Sequence, residues 1–391
     1  MAVAVPFPTE DTVDLAPPTA AEVDLITRAL ATGAAGPNGL TDTQRAVLNA
    51  LTTSMTGFVV DVADVDALGP DDLAEALRFR NHDFRTRIIQ LMLLAELLLV
   101  PLPPEVTEQV ESYAGRLGVC DDIMRVAREV SHGSMGLALI DFERSGYFQH
   151  LLDRPPDHLH VSSALSTAWD TACTDEQLYE RWSALTQCPD GSLGQGVARF
   201  YRARGFTFPG HPESAPPFLA QHDFIHVIAD YGSTVESEIE VFGLISRAND
   251  DPAAFALLAM VLGLFETGYI EAAAQGFFGF DRGHLSADAE HMAARLADAI
   301  YRGAILATYL DTHDRCAETD LLGNDWFAYA GWPLADVRAH FGLPPRSEIA
   351  IASGSVTPWE PGGISPFQFA AGRTAAAARD ETYESYGASP Q

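Results

Sequence analysis

The chain has 391 residues, 47% of them apolar and 20% charged, with a formal net charge of −30. That length holds more than one core, and the negative charge works against phosphate backbones and anionic lipid heads, so nucleic acid is excluded as a partner. All 24 basic residues are arginine, a bias that GC-rich coding explains. Without lysine there is no Schiff base, pyridoxal anchor, Walker-type phosphate loop or Ser/Lys dyad.

Cys120, Cys173, Cys188 and Cys316 are scattered without CxxC spacing, which argues against a thiolate zinc knot or a disulfide framework and for a reducing cytoplasm. No charged n-region precedes an apolar run at the start, so no secretory signal is expected. The apolar stretches 88–100, interrupted by Glu96, and 253–265, ended by Glu266, fall short of the roughly 20 residues that span a bilayer. Both are expected as buried helices, which leaves at most peripheral membrane contact.

The pattern in chain order is all-α and multi-helical, with two helical domains between flexible tails. Residues 1–21 mix Pro, Thr and acids without a period and are expected as a flexible arm. Residues 22–155 carry helix starts at Leu40-Thr41-Asp42, Gly69-Pro70-Asp71-Asp72 and Pro104-Glu105 around the apolar run from Ile88. The QLMLLAELL helix and the following SYAGRLGV segment resemble small helical domains of the tellurite-resistance TerB type. An accessory or dimerisation module is expected here, and with it a homo-oligomer or a partner in a biosynthetic complex. Arg154-Pro155-Pro156-Asp157 marks the boundary.

The second domain, 156–347, is read as a helix near 173–187, a Pro189-Asp190-Gly191-Ser192 turn, a helix carrying Arg199 and Tyr201, a Pro-rich loop at 208–217 and at least four further helices. Residues 348–391 are expected as a flexible tail whose Ala run forms a short helix if it docks.

The chemistry concentrates after Pro217. At about 100° per residue, Phe218, Leu219, His222, Ile225, His226 and Ala229 share one helix face. Two histidines one turn apart on an apolar face chelate an ion in HExxH enzymes, and Asp223 stands where that motif has its Glu. Glu238 lies twelve residues after His226, about 18 Å away on a continuous helix, so the chain must turn. Gly232 is the expected helix stop, and Ser233 with Glu236 the capping box of the next helix.

On that second helix Val235, Ile239, Val241, Phe242 and Ile245 form an apolar arc that includes Glu238, while Glu236, Glu240 and Arg247 fall on the outer arc. A carboxylate among aliphatics needs a counter-charge, which a metal or an arginine supplies. His222, Asp223, His226 and Glu238 are therefore the candidate metal ligands. Asp223 fits either a fourth ligand or a catalytic base just behind the ligands. Zinc suits this donor set but is redox-inert, and Fe(II) is the alternative.

His222-Asp223-xx-His226, eleven residues, then Glu238 is the HDxxH-x11-E signature, by which the chain resembles the coenzyme Q biosynthesis protein 4 family. Pro189-Asp190-Gly191-Ser192-Leu193-Gly194, Ala299-Ile300-Tyr301-Arg302-Gly303 and Trp332-Pro333-Leu334-Ala335-Asp336-Val337-Arg338 through Pro345 are similar to other segments of that family, over about 160–347. The resemblance implies a role in ubiquinone biosynthesis on a hydrophobic, polyprenylated aromatic acid, with the ring carboxyl at C1 replaced by a hydroxyl. The helix around 253–265 is then either a prenyl-tail groove or ordinary core.

Two further readings stay open: a non-enzymatic lipid- or quinone-binding scaffold stapled by a structural metal, and a metal phosphohydrolase using His211, His222, Asp223 and Asp230. His82-Asp83 and His313-Asp314 lack a second His one turn on and read as capping or surface pairs. His158 and His160 lie in expected linker, and Gly191–Gly196 has no preceding strand and is no phosphate cradle.

Overall fold

Side chains that satisfy the free N–H groups of a first turn mark most of the helix starts. The computed structural model describes residues 18–63, 65–99, 102–119, 174–212, 214, 217–248, 258 and 289–383. Among them are thirteen α-helices: α1 (Ala20–Gly33), α2 (Asp42–Thr56), α3 (Pro70–Ala76), α4 (His82–Glu96), α5 (Pro104–Leu117), α6 (Glu176–Ser183), α7 (Leu193–Arg204), α8 (Pro217–Ala229), α9 (Val235–Ala248), α10 (Ala289–Thr312), α11 (Leu334–His340), α12 (Glu348–Ala352) and α13 (Pro366–Ala378). No strand occurs among the described residues, so the all-α expectation holds. No helix among them is long and apolar enough to cross a membrane. The expected boundary at 154–157, the run at 253–265 apart from Leu258, and His158, His160, Cys120 and Cys173 lie outside the described residues.

The chain divides into two compact units. One comprises Met1–Phe148, Phe242–Ile270 and Asp281–Ala304, the other Gln149–Val241, Glu271–Phe280 and Ile305–Gln391.

In the first unit, Thr19 with Glu22 and Thr41 with Gln44 form capping boxes, and Asn81 accepts from Phe84 N at 2.8 Å to start α4. The helix thus begins at Ala20, inside the expected arm. Helix α4 carries the apolar run from Ile88: Ile88, Ile89, Met92 and Leu94 are fully buried, as expected for a core helix. Buried Gln44 ties three elements together, its Nε2 donating to Ala34 O at 2.8 Å and Ala95 O at 2.9 Å. Arg80 pairs with Glu22 at 2.7 Å and holds that carboxyl down to about 2. Gly303 lets α10 lie close on α9, since a Cβ there would stand 2.5 Å from Leu244 O.

Arg247, placed on the outer arc by helical phase, is instead fully buried and donates to Ser54 O at 3.2 Å. Glu240 is fully buried as well. The amphipathic wheel fails at Glu240 and Arg247, which are covered, while Glu236 stays half-buried.

In the second unit α7 packs against α8, α11 and α13, and α8 against α11. Trp182 centres an aromatic core, with Tyr201, Phe224 and Phe327 rings at 5.4, 5.2 and 5.4 Å. The 189–194 turn meets the 330–334 segment backbone to backbone: Leu193 N donates to Trp332 O at 3.0 Å, Gly194 N to Ala330 O at 2.8 Å and Leu334 N to Gly191 O at 3.0 Å. The Ala run near the C-terminus does dock, as part of α13, with Gln368 and Ala376 buried. Only 384–391 of the expected tail lie outside the described residues.

Glu96 is fully buried on α4, and neither of its oxygens has a hydrogen-bond partner among the described residues. Burial, aided by the Glu111 charge, pushes its carboxyl well above the ordinary value. The folded chain keeps a proton that the unfolded chain releases, so this group costs stability as pH rises from its unfolded value toward its folded one. Glu96→Met should stabilise the protein by at least about 1 kcal/mol, with a larger gain at pH 8 than at pH 5 in urea unfolding.

Candidate metal centre

Helix α8 ends differently from the sequence expectation. Asp230, not Gly232, takes the left-handed conformation (φ 65°), and Tyr231 N returns to His226 O at 3.0 Å, a Schellman-type ending. The Asp230 carboxylate is held at 3.3 Å by Arg338 and 3.7 Å by Arg346, which offsets the strain of a non-glycine residue there. Helix α9 is started by Thr234, whose Oγ1 accepts from Ser237 N at 3.4 Å. Ser233 is diverted from capping: its hydroxyl donates to Gln368 Oε1 at 2.6 Å and accepts from Arg204 Nε.

The turn between α8 and α9 is clamped by residues past 354. Gly232 N donates to Val356 O and Ser233 N to Gly363 O, both at 2.9 Å. Arg204, fully buried, spans the same segment, with Nη2 bonded to Gly363 O at 2.9 Å and Pro358 O at 3.3 Å and its guanidinium 3.6 Å above the Phe200 ring. Burial lowers its pKa to about 9, against the raising pull of Asp223, Tyr383 and Glu238, so it stays cationic at neutral pH.

This clamp brings His222, His226 and Glu238 together. Their donor atoms lie within 4.8 Å of one another, the only such group of three or more among the described residues. His222 Nε2 is 3.3 Å from Glu238 Oε2, and His226 Nε2 is 3.2 Å from Glu238 Oε1. A four-coordinate ion with bonds near 2.0–2.1 Å separates its ligands by about 3.3 Å, so these spacings fit a shared ion.

The tautomer sharpens the point. His226 Nδ1 lies 2.6 Å from Gly232 O and must carry a proton to bond it. In the neutral ring Nε2 is then a bare lone pair, and it is fully buried, without a hydrogen bond, facing a carboxylate oxygen. Either a cation between these two atoms 3.2 Å apart or a proton on the imidazole satisfies both. No arginine nitrogen among the described residues lies within 4 Å of Glu238, and Arg204 spends its donors on Ser233 and carbonyls. Burial would push the Glu238 carboxyl up, but the two imidazoles outweigh it and hold it well below the ordinary range. Phe200 stacks on His226 at 5.2 Å, and the His222 side chain keeps 17% exposure.

Asp223 stays outside that three-donor group. Its Oδ2 accepts from Tyr201 Oη at 2.5 Å, and its Oδ1 stands 3.8 Å from His222 Nε2. Burial raises the Asp223 carboxyl against the opposing pull of both histidines and Tyr201, and both burial and Asp223 raise the Tyr201 phenol well above its usual value.

The other histidine pairs stay apart from the site. His211 is exposed against the Tyr179 ring at 5.5 Å, and Asp230 is tied to arginines. His313 caps its own helix end through Nδ1 to Tyr309 O at 2.7 Å, and His82 is exposed at the start of α4. Sequence reasoning missed Arg204, Ser233, Gly363 and Gln368 as the supports of the turn and assigned Tyr201 no role. Arg204 alone had a signal, since it follows Phe200 by four on the buried face of α7. Comparison with family models, curated proteins and solved structures finds no match for this chain.

Gly232 has no room for a side chain: a Cβ would sit 2.8 Å from Gly363 Cα and 3.1 Å from Ser237 Oγ. Gly232→Ala should force the turn off the 356–363 segment, cost about 1–3 kcal/mol and weaken zinc binding at least about tenfold through the displaced His226. Urea unfolding and competition against a chromophoric chelator measure the two effects.

Proposed function

We propose that this chain is a metalloenzyme that holds a divalent ion through His222, His226 and Glu238 and acts on a hydrophobic hydroxybenzoate-type acid. The reading is supported chiefly by the buried His226 Nε2 facing Glu238 with a committed Nδ1 proton and no arginine nitrogen among the described residues within 4 Å of the carboxylate. The HDxxH-x11-E resemblance supplies the reaction class, replacement of the ring carboxyl at C1 by hydroxyl. With Ar for the ring, ArCO2H + O2 + H2O gives ArOH + CO2 + H2O2, the ring carbon losing two electrons to dioxygen.

Bound zinc would supply Lewis-acid polarisation of a substrate oxygen, and bound Fe(II) would add reactivity toward O2. The chain's own contribution is orientation. Gly232 O fixes the His226 tautomer, and the Phe200 ring packs against that imidazole.

A second reading, a structural staple in a non-enzymatic quinone or lipid carrier, draws on one observation: the three donors bridge α8 and α9 in a nearly closed site. Protein purified without added metal should carry about one zinc or iron per chain, and an active preparation without stoichiometric metal overturns the proposal. His226→Ala and Glu238→Gln separate the two readings. Folded, metal-free and inactive protein supports catalysis, whereas collapse of the helical circular-dichroism signal on metal loss supports the staple.

A further inference from the structure

The amide that joins Gly232 to Ser233 is bonded at both ends. Its carbonyl accepts from His226 Nδ1 at 2.6 Å, and its N–H, on Ser233, donates to Gly363 O at 2.9 Å. One peptide group therefore links a candidate metal donor to a carbonyl 130 residues beyond Ser233. The preceding amide is held by the same distant segment, since Gly232 N donates to Val356 O at 2.9 Å.

An ion on His226 Nε2 draws electron density from the imidazole and makes its Nδ1–H a stronger donor to the Gly232 carbonyl. An amide polarised at its oxygen donates more strongly from its nitrogen, by about 10–30% per bond in a hydrogen-bonded chain. Filling the site thus tightens the bond from Ser233 N to Gly363 O.

The segment that receives this bond is lightly held. Helix α13 lies close on the end of α7, where a Cβ on Gly205 would stand 2.7 Å from the Ala371 carbonyl carbon. The apolar cluster at this contact is small, Ala203 and Ile364 with Phe369 packed against them, and Ala370, Arg373, Thr374, Ala377 and Ala378 of α13 are exposed. Further ties are polar and most run to the turn between α8 and α9 or to Arg204. Gln368 Oε1 accepts from the Ser233 hydroxyl at 2.6 Å, Arg204 donates to Gly363 O at 2.9 Å, and Arg346 stands 3.7 Å from Asp230 and 3.6 Å from Glu360. At the far end Tyr383 Oη donates to Ala203 O at 2.7 Å. Segments with few buried apolar contacts open at low free energy.

We infer that residues 355–383 form a strap whose docking is coupled to the ion: an occupied site holds the strap on the turn and on α7, and an emptied site lets it open. Such coupling is reciprocal, so loosening the strap weakens ion binding by the factor by which the ion tightens the strap. The inference rests on the metal-centre reading above and adds to it a conformational response.

The test is hydrogen–deuterium exchange of the full chain, loaded with Zn(II) or stripped by a chelator, with zinc affinity measured by competition against a chromophoric chelator. Zinc should slow exchange across α13 at least about tenfold, while α6, which makes none of these contacts, changes less than about threefold. Phe369→Ala removes a ring packed on Ala203 and Ile364 rather than a bond to the turn. It should speed exchange across α13 and lower zinc affinity at least about fivefold, and Gln368→Ala should do the same.

Equal exchange across α13 with and without zinc overturns the inference and leaves the metal centre standing. Equal slowing of α6 and α13 does so too, since it marks general stabilisation by a bound ligand. A variant whose α13 exchanges faster while its zinc affinity stays within about twofold of wild type also overturns it. Wild type that binds no zinc removes the metal centre and the inference together, an outcome the titration shows before any exchange is measured. The wild-type comparison needs no substitution, so a folding defect in either variant leaves it decisive.

Discussion

The second unit is organised around a carboxylate that has been taken out of water without an arginine beside it. Glu238 is 4% exposed, and its two oxygens face one imidazole nitrogen each. An unpaired buried carboxylate costs on the order of several kcal/mol even after relaxation, so a cation or a protonated imidazole has to share the site. Because His226 donates its Nδ1 proton to Gly232 O, its Nε2 can only accept when neutral, and in that form its lone pair is aimed at the Glu238 carboxylate.

That aim depends on a turn of five residues, Asp230 to Thr234, and the turn depends on chain more than a hundred residues away. Val356 and Gly363 carbonyls take the N–H groups of Gly232 and Ser233, and Arg204 bolts the arrangement to α7 through Ser233, Pro358 and Gly363. Arginine suits this work and lysine does not. A planar fork can serve a hydroxyl and several carbonyls at once while its face lies on Phe200, which a point-like ammonium cannot. In a chain without lysine, three of the most deeply buried large side chains are Arg87, Arg204 and Arg247.

The aromatic cluster around Trp182 has a comparable role at one remove. By locking Tyr201 it fixes the direction of one hydroxyl, and through it the orientation of the Asp223 carboxylate. Core packing and site geometry are therefore the same interactions in this region, so large-to-small changes at Phe208 or Trp182 bear on the orientation of the Asp223 carboxylate as well as on stability.

By itself, the sequence determined the helical class and several helix starts, and it singled out four candidate metal ligands, of which the structure groups His222, His226 and Glu238 but not Asp223. These are local properties: caps act over three residues, and His222 and His226 share a face because a helix turns about every 3.6 residues. The need for a turn before Glu238 was equally legible, since a continuous helix would have carried the carboxylate out of reach. What only the tertiary structure decided was where the turn bends, which hydroxyl caps α9, and what holds both in place. Asp230 could replace Gly232 as the left-handed residue because distant Arg338 and Arg346 neutralise it, and Ser233 left its capping role because Gln368 and Arg204 offered it better partners. Amphipathic phase likewise sorted Glu240 and Arg247 to the outside, where an isolated helix would put them, but packing in the folded chain covers both. Pairings across 22 to 154 residues, such as Tyr201 with Asp223 or Arg204 with Pro358, leave no local period in the chain and exist only once the fold has formed.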